Sequence, residues 1–267
     1  YENNEQEYRN LYYRLHAEVD DPLDRVRKAL TIDTSREKII FRTSDHGDLL
    51  GAHGGLHQKW FNLYDEATRV PFEIIKYGSE SAPKGVVDSI PTSHVDLIPT
   101  ALALAGLDQQ ELGQRLAPLF SEFHPLPGKD LSPLLVDPDA EEYKGRAIYF
   151  MTRDNMLEGD TLASAMARGL GRADNPPPAM KIQIAPHVST NFEGIVVKIL
   201  DGEIPGIVSS LWKITRAHDD PETWSIPNRA NLSSSGPFGE TYRTTKIPDQ
   251  FELYDLTNDP TESKNLW

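Results

Sequence analysis

The stretch Thr43–Pro71, TSDHGDLLGAHGGLHQKWFNLYDEATRVP, organises the rest of this 267-residue chain. It follows a short apolar run, Lys38–Phe41, which has the length and composition of a buried β-strand. Asp45 and His46 come directly after that strand, and Gly47 then allows the backbone to turn. Because ligands gather at the carboxyl ends of strands in open α/β sheets, an Asp-His pair placed there is well positioned to hold a metal ion.

Short motifs follow the strand in a fixed order. They are Thr43-Ser44-Asp45-His46-Gly47-Asp48, Gly51-Ala52-His53-Gly54, Lys59, Tyr64-Asp65 and Arg69-Val70-Pro71. This pattern resembles the second metal-binding motif of the sulfatase family, within the alkaline-phosphatase-like hydrolases. Asp65 stands where that family usually has a glutamate. The resemblance continues in Ser93–Gly106 and in the closing stretch Phe251–Leu266.

The resemblance implies roles for four residues. Asp45 and His46 are the candidate metal ligands, since a hard cation takes carboxylate oxygens and softer ions accept an imidazole nitrogen. We expect a divalent metal, Ca²⁺ first, with Mn²⁺ or Mg²⁺ as alternatives. Lys59 is the candidate catalytic and substrate-binding residue, because a compact positive charge can neutralise a sulfate or phosphate oxygen. His57 is a second candidate substrate-binding residue, and His53 is interpreted as structural.

Read without the resemblance, these residues have simpler interpretations. A turn containing Asp or His and Gly is common after a strand, and an isolated lysine is usually solvated. In the later motif, His94 and Asp96 invite a site assignment, but helix capping by Ser93 and Asp96 and packing are the favoured interpretation.

Composition limits the classes of partner. Hydrophobic residues make up 38% of the chain and charged residues 25%, which favours a folded core in one large domain or two small ones. The net charge of −14 argues against a nucleic-acid partner. No run is long and apolar enough to predict a membrane span. A small anionic ester remains a suitable substrate, because a metal and Lys59 can dominate the field inside a cleft. A homo-oligomer is possible, and the compartment is left open.

The nucleophile is not found where the resemblance requires it. The chain contains no cysteine. The family builds a formylglycine from Cys or Ser in C/S-x-P-x-R, and it places that motif and a pair of Asp ligands upstream of Asp-His-Gly. Here the pattern fits only Ser225–Arg229, downstream of the metal motif, which favours a chance match. We therefore expect this chain to be the C-terminal part of a longer sulfatase-like protein, whose N-terminal half supplies the nucleophile and covers exposed sheet edges.

We predict an α/β fold. The resemblance implies that it is the C-terminal part of a helix-flanked mixed β-sheet plus a small antiparallel β subdomain. The corresponding domains are 1–180 and 181–267. Tyr8–Leu30 is a predicted helix with one apolar face, kinked or split at Pro22. A second helix follows Ser93 and stops at Gly106, and Asp108–Pro138 is predicted to be irregular. Strands are predicted at 70–75, 146–151, 194–200, 210–216 and 251–256.

The implied activity is hydrolysis of a sulfate ester. Two alternatives stay open: a phosphonate or phosphate ester hydrolase of the same superfamily, and a non-catalytic remnant or subunit. Relative turnover of aryl sulfates and phosphonate monoesters would separate a sulfatase from a phosphonate or phosphate ester hydrolase. The intact set of Asp45, His46 and Lys59 favours an enzyme over a remnant.

Overall fold

The computed structural model describes residues 4–32, 35–59, 62–78, 90–122, 124–153, 189, 191–218, 230–233, 241–243 and 247–267. Ser225, the serine of the downstream C/S-x-P-x-R match, lies outside these residues. The described part combines helices with antiparallel sheets, which confirms the predicted α/β class.

Helix α1 spans Glu5–Ile32 and contains the whole of the predicted helix. It runs through Pro22 without a break, so the predicted split is wrong. Proline removes one N–H donor, and here ion pairs one turn apart flank it, Arg14 with Glu18 and Lys28 with Asp24. No described helix, α1 included, is long and apolar enough to cross a bilayer.

The apolar face of α1 is open to solvent. Within the described residues no side chain of α1 is buried. The residues of the predicted stripe are between 41% and 59% exposed: Leu11, Leu15, Val19, Leu23, Val26 and Leu30. The periodicity therefore predicted the helix correctly, while its apolar face is not covered by any element described here.

Strand β1 (Lys38–Thr43) pairs antiparallel with β2 (Phe72–Tyr77), and Phe41 and Phe72 stack with ring centroids 6.3 Å apart. The prediction of a buried strand is wrong for the described structure, because β1 is half-buried up to Phe41 and exposed beyond it. Among the described strands only β2 pairs with β1, so the second edge of β1 stays open.

Helix α4 (Leu97–Leu104) follows a 3₁₀ turn and confirms the predicted capping. The carboxylate of Asp96 is completely buried and accepts hydrogen bonds from Ser93 N at 2.8 Å and Lys129 N at 2.8 Å. Arg146 Nη2 donates to the same carboxylate at 2.7 Å. Asp96 thus joins three segments of the chain, so its function is structural.

The segment after α4 is more regular than predicted. Gly106 has φ 72° and ends α4 as expected. Helix α5 (Gln109–Leu116) then lies inside the stretch predicted to be irregular, and that prediction is wrong there. Asp108 caps α5, since its side chain accepts from Glu111 N at 2.7 Å. The spacing Asp-x-x-Glu is a capping signal present in the sequence.

The C-terminal half is built on a four-stranded antiparallel sheet. Its strand order is β3-β4-β5-β8, with the bounds Ala147–Arg153, Asn191–Ile199, Ser210–His218 and Gln250–Asp255. A separate ribbon pairs β6 and β7, at Ala230–Ser233 and Thr241–Arg243. The predicted antiparallel unit is confirmed. It includes β3, which precedes residue 181, while the domain boundary itself stays a prediction.

One face of this sheet packs toward the segment that follows the Asp-His loop. Its buried cluster contains Val196, Tyr254 and Leu256, and Tyr64 packs against that cluster. The one-turn helices α2 (Ala52–Gly55) and α3 (Asp65–Thr68) lie on the chain between the loop and β2. The C-terminal sheet therefore supports the region where the candidate site is found.

Candidate metal-binding loop

Asp45 and His46 lie just past the end of β1, as predicted. Asp45 Oδ2 is 3.5 Å from His46 Nε2. The Asp45 side chain is 84% exposed and that of His46 is 36% exposed, so solvent and ions reach both. The loop thus presents one carboxylate oxygen and one imidazole nitrogen next to each other.

The tautomer of His46 follows from its second contact. His46 Nδ1 is 2.8 Å from the carbonyl oxygen of Gly47. A carbonyl only accepts hydrogen bonds, so Nδ1 carries the proton and Nε2 keeps a free lone pair. Metal-binding histidines are commonly oriented by this kind of bond from the other ring nitrogen. The geometry therefore fits a nitrogen ligand at Nε2.

Asp45 is held in its charged form. The backbone N–H of His46 donates to Asp45 Oδ1 at 3.0 Å, and this bond is the main reason that the pKa of Asp45 lies below its ordinary value. A hydrogen bond from the Ser44 hydroxyl lowers the pKa of Asp45 further. An ionised carboxylate is the form that a divalent cation requires.

Gly47 is required by close packing. A Cβ atom there would lie 1.9 Å from the carbonyl oxygen of Glu66 in α3. Gly47 N donates to the carbonyl oxygen of Ala67 at 2.9 Å. The sequence suggested that this glycine allows a turn, but its φ is not positive. Its function is to let the loop approach the backbone of α3.

Asp48 closes the loop. Its Oδ1 accepts from Leu50 N at 2.9 Å and from Gln58 N at 3.1 Å, and its Oδ2 accepts from the Tyr8 hydroxyl at 2.8 Å. Leu49 N also donates to the Gln58 carbonyl oxygen at 2.9 Å. Asp48 is thus a structural residue that ties the two ends of the loop and α1 together.

Lys59 lies at the end of the loop, next to a residue that is bonded to the start of the loop. Lys59 directly follows Gln58, whose backbone is hydrogen-bonded to Asp48 and Leu49. Lys59 is half-buried and His57 is exposed. The roles of Lys59 and His57 in binding substrate stay predictions.

His53 has the structural role expected of it. Its ring stacks on Tyr64 with centroids 3.6 Å apart and an interplanar angle of 6°. Its Nε2 lies 3.1 Å from Glu66 Oε2. These contacts join α2 to the start of α3 and leave the imidazole only 13% exposed.

The structure adds a histidine next to the loop. Nε2 of His94 lies 3.2 Å from Thr43 Oγ1 at the end of β1, and His94 is exposed. The sequence favoured capping and packing for this residue. No local pattern could have shown the contact, because 51 residues separate the two partners.

Asp45 and His46 are two candidate ligands. Among the described residues no group of three or more His, Cys, Asp and Glu side chains could hold a metal ion. The rest of a coordination shell would have to come from backbone, solvent or residues beyond those described. The two donors themselves, one oxygen and one nitrogen, suit a divalent cation.

The stretch that contains this loop is similar to known sulfatases. Residues 1–107 match the family model described as Sulfatase. The chain is 40% identical over 102 residues to the uncharacterized sulfatase YidJ of Escherichia coli, which covers 38% of this chain. It is 37% identical over 123 residues to arylsulfatase K of Danio rerio, covering 44% of this chain. It is 32% identical over 121 residues to a delta 4,5-hexuronate-2-O-sulfatase of Bacteroides thetaiotaomicron, covering 43%.

The aligned stretches are short compared with these relatives. They cover 20% of the Escherichia coli protein, 23% of the Danio rerio protein and 25% of the Bacteroides thetaiotaomicron protein. The chain therefore spans only about a quarter or less of the length of the curated relatives it matches. The family match over residues 1–107 and the similarity to several sulfatases support the sulfatase family for the part of the chain that contains the Asp-His loop.

Proposed function

We propose that this chain forms part of a hydrolase of sulfate esters in which Asp45 and His46 hold a divalent metal. The observation that carries the proposal is the geometry of His46. Its Nδ1 donates to Gly47, which leaves Nε2 free 3.5 Å from the ionised carboxylate of Asp45. Metal-binding histidines commonly show this arrangement, in which the other ring nitrogen donates to a carbonyl.

The chain's own residues have distinct tasks in this proposal. When bound, the metal supplies positive charge that holds an anionic ester oxygen. Asp45 stays ionised, and His46 keeps one tautomer because Gly47 accepts its Nδ1 proton. Lys59 neutralises charge that develops on the sulfate group, and His57 contributes to substrate binding. Ca²⁺ is our first choice of metal, and Mn²⁺ or Mg²⁺ are the alternatives.

The proposed nucleophile is a formylglycine supplied by a preceding part of the full protein. The proposal rests on the sulfatase resemblance and on the absence of cysteine from the sequence. Ser225 follows the metal motif, whereas the family places its nucleophile before it. The N-terminal half is thus the partner that completes the site.

We propose a small anionic sulfate ester as the substrate class. Relatives named as an arylsulfatase and as a hexuronate-2-O-sulfatase support the sulfate group. They do not agree on the rest of the molecule, so the proposal stops at the ester.

Turnover by the product of the native gene tests the function. It would be compared on 4-nitrophenyl sulfate and on a 4-nitrophenyl phosphonate monoester, before and after chelation and Ca²⁺ addition. We expect faster sulfate turnover, loss on chelation and recovery with Ca²⁺. Lys59→Ala should lower the sulfate rate by about 10²–10³-fold, as for loss of one charge-stabilising group.

Two results would change the assignment. Faster phosphonate turnover would favour the related ester hydrolase. No turnover of either ester by a product that contains an upstream C/S-x-P-x-R motif would favour a non-catalytic remnant or subunit. Arg42→Ala is a suitable control, because its ion pair with Glu73 is exposed and lies on the neighbouring strand pair.

A further inference from the structure

A buried lysine connects the C-terminal sheet to α3. Lys213 lies in β5 and its side chain is 0% exposed. A buried ammonium is costly unless it is paired. Its Nζ donates to Asp65 and to the carbonyl oxygen of Leu63 at 3.0 Å, and it lies 2.8 Å from Glu262 Oε1. One charge of the sheet is thus enclosed by oxygens from the start of α3 and from the C-terminal tail.

Glu262 holds the same helix from a second direction. Its side chain is 0% exposed, and its Oε2 accepts from the backbone N–H of Asp65 at 2.5 Å. Asp65 is the first residue of α3, and Tyr64 at the N-cap provides no side-chain cap. First-turn N–H groups have no partner inside their helix. Glu262 therefore caps α3 across 197 positions of sequence.

The far side of α3 touches the candidate metal loop. Gly47 N donates to the Ala67 carbonyl oxygen, and the Gly47 Cα approaches Glu66 so closely that a methyl group would not fit. Gly47 directly follows the two candidate ligands. The path from Lys213 to the loop therefore runs through one four-residue helix.

We propose that Lys213 and Glu262 are positioning residues for the Asp45–His46 loop. The C-terminal sheet fixes the start of α3, and α3 in turn fixes the backbone of Gly47. The effect on metal rests on the proposed function, whereas the mechanical link is a property of these contacts alone. Neither residue touches substrate or metal in this proposal, so both act through α3.

The competing explanation is that Lys213 only stabilises the sheet. Arg216 provides the matched control, because it lies on the same strand β5 but on the opposite face. Arg216 is ion-paired with Glu193 at 2.8 Å and with Asp249 at 2.7 Å, and both partners lie outside the loop and α3. Removing Arg216 perturbs the sheet without cutting the path to Gly47.

Amide hydrogen exchange of the native-gene product tests the link without metal or activity. The variants are Lys213→Met, Asp65→Asn, Asp65→Glu and Arg216→Met. We expect Lys213→Met and Asp65→Asn to speed exchange in segments 44–50 and 62–69 by about tenfold or more, as when a buried charge loses its partner. Asp65→Glu keeps the carboxylate and should stay near the wild type. Arg216→Met should leave both segments unchanged.

Two exchange results would overturn the inference. The first is an exchange rate in segment 44–50 that stays at the wild-type value in Lys213→Met and Asp65→Asn. The second is an equal increase in Arg216→Met, which would mean that general loosening of the sheet is the cause. If Lys213→Met fails to fold, the isosteric Asp65→Asn and the conservative Asp65→Glu still decide between these outcomes.

Mn²⁺ binding to the native-gene product, followed by electron paramagnetic resonance, separates this inference from the proposed function. Equal Mn²⁺ affinity of wild type and Asp45→Asn would reject the metal site while leaving the exchange result valid. If Asp45→Asn loses Mn²⁺, we expect Lys213→Met to weaken binding by about 10–100-fold, as for loss of an outer-shell support. Unchanged affinity in folded Lys213→Met would reject the positioning role.

Discussion

The two sides of the Asp45 loop are supported very differently. On one side the four-stranded sheet reaches the loop through α3 and a completely buried charge, Lys213. On the other side β1 pairs only with β2 among the described strands, and α1 leaves its apolar stripe open. Among the described residues, Gly47 is thus held by α3 and the C-terminal sheet, whereas α1 reaches the loop at Asp48 through the Tyr8 hydroxyl.

This asymmetry gives the buried ion group a function beyond the sheet. A buried ion pair contributes little stability relative to apolar packing, yet removing one member is costly. Lys213, Asp65 and Glu262 come from three segments, so they fix one relative placement of those segments. Such a group is suited to holding a loop that must present two ligands to one ion.

The largest expected effect is loss of the buried charge. Lys213→Met leaves Asp65 and Glu262 without their common cation, and we expect a loss of about 3–5 kcal/mol in the free energy of unfolding. Urea denaturation followed by circular dichroism measures it. Arg216→Met, on the more exposed face of the same strand, should cost clearly less. Equal losses of stability in the two variants would contradict the claim that the buried charge of Lys213 matters more than the charge of Arg216.

The next effect concerns the contact between loop and helix. Gly47→Ala places a methyl group against the Glu66 carbonyl oxygen, and we expect a loss of about 1–3 kcal/mol, as for overpacking. The control is Gly54→Ala in the same loop, where a Cβ meets no atom within 4 Å and only the positive φ of 83° is strained. Hydrogen exchange of segment 62–69 should rise in Gly47→Ala alone. A rise in Gly54→Ala would show that α3 responds to any loop change.

A smaller effect is expected from acid at the C-terminal turn. Backbone N–H groups of Ser263 and Lys264 lower the pKa of Asp259 below its ordinary value. A carboxylate with a depressed folded pKa stabilises the turn above its unfolded pKa, and this contribution is lost as pH falls through the folded pKa. Acidification from about pH 5 downward should therefore loosen the turn that carries Glu262.

Trp267 reports on that turn, because its ring stacks on Phe251 with centroids 4.7 Å apart. The fluorescence difference between wild type and Trp267→Phe, followed against pH, should show an acid transition. Asp259→Asn should remove the transition. An unchanged transition in Asp259→Asn would assign it to another carboxylate.

The smallest effect is expected on the open side. Leu15→Ala removes a side chain that is 48% exposed, and we expect a change within about 0.5 kcal/mol in the 267-residue chain. Val196→Ala in the buried cluster of the sheet, where Val196 is 9% exposed, should cost more. A large loss for Leu15→Ala would mean that the stripe on α1 is covered after all. Thermal unfolding of both variants makes the comparison.

Local patterns predicted much of this molecule. Runs of β-forming residues predicted β4, β5 and β8, and the apolar run before Asp45 and His46 predicted that the candidate ligands follow the end of a strand. Those features depend on residues that are neighbours in sequence. The capping signal of Asp108 and Glu111 was equally local, so α5 was open to prediction from the same kind of pattern.

Contacts between distant segments were beyond such patterns. The reason for Gly47 lies in the carbonyl oxygen of Glu66, and the partners of Lys213 come from Asp65 and Glu262. In the sequence, Lys213 and Arg216 are both basic residues of β5, and no local pattern distinguishes the buried one. Its burial depends on which face of β5 meets α3, and that is decided by tertiary packing.

Calcium binding by the product of the native gene tests the central claim most directly. Isothermal titration calorimetry of the metal-free protein would compare wild type with Asp45→Asn. We predict one bound Ca²⁺ per chain in the wild type and strongly weakened binding in Asp45→Asn, because the variant loses the carboxylate charge at the end of β1. Equal Ca²⁺ affinity in the two proteins would contradict the assignment of this loop as a metal site.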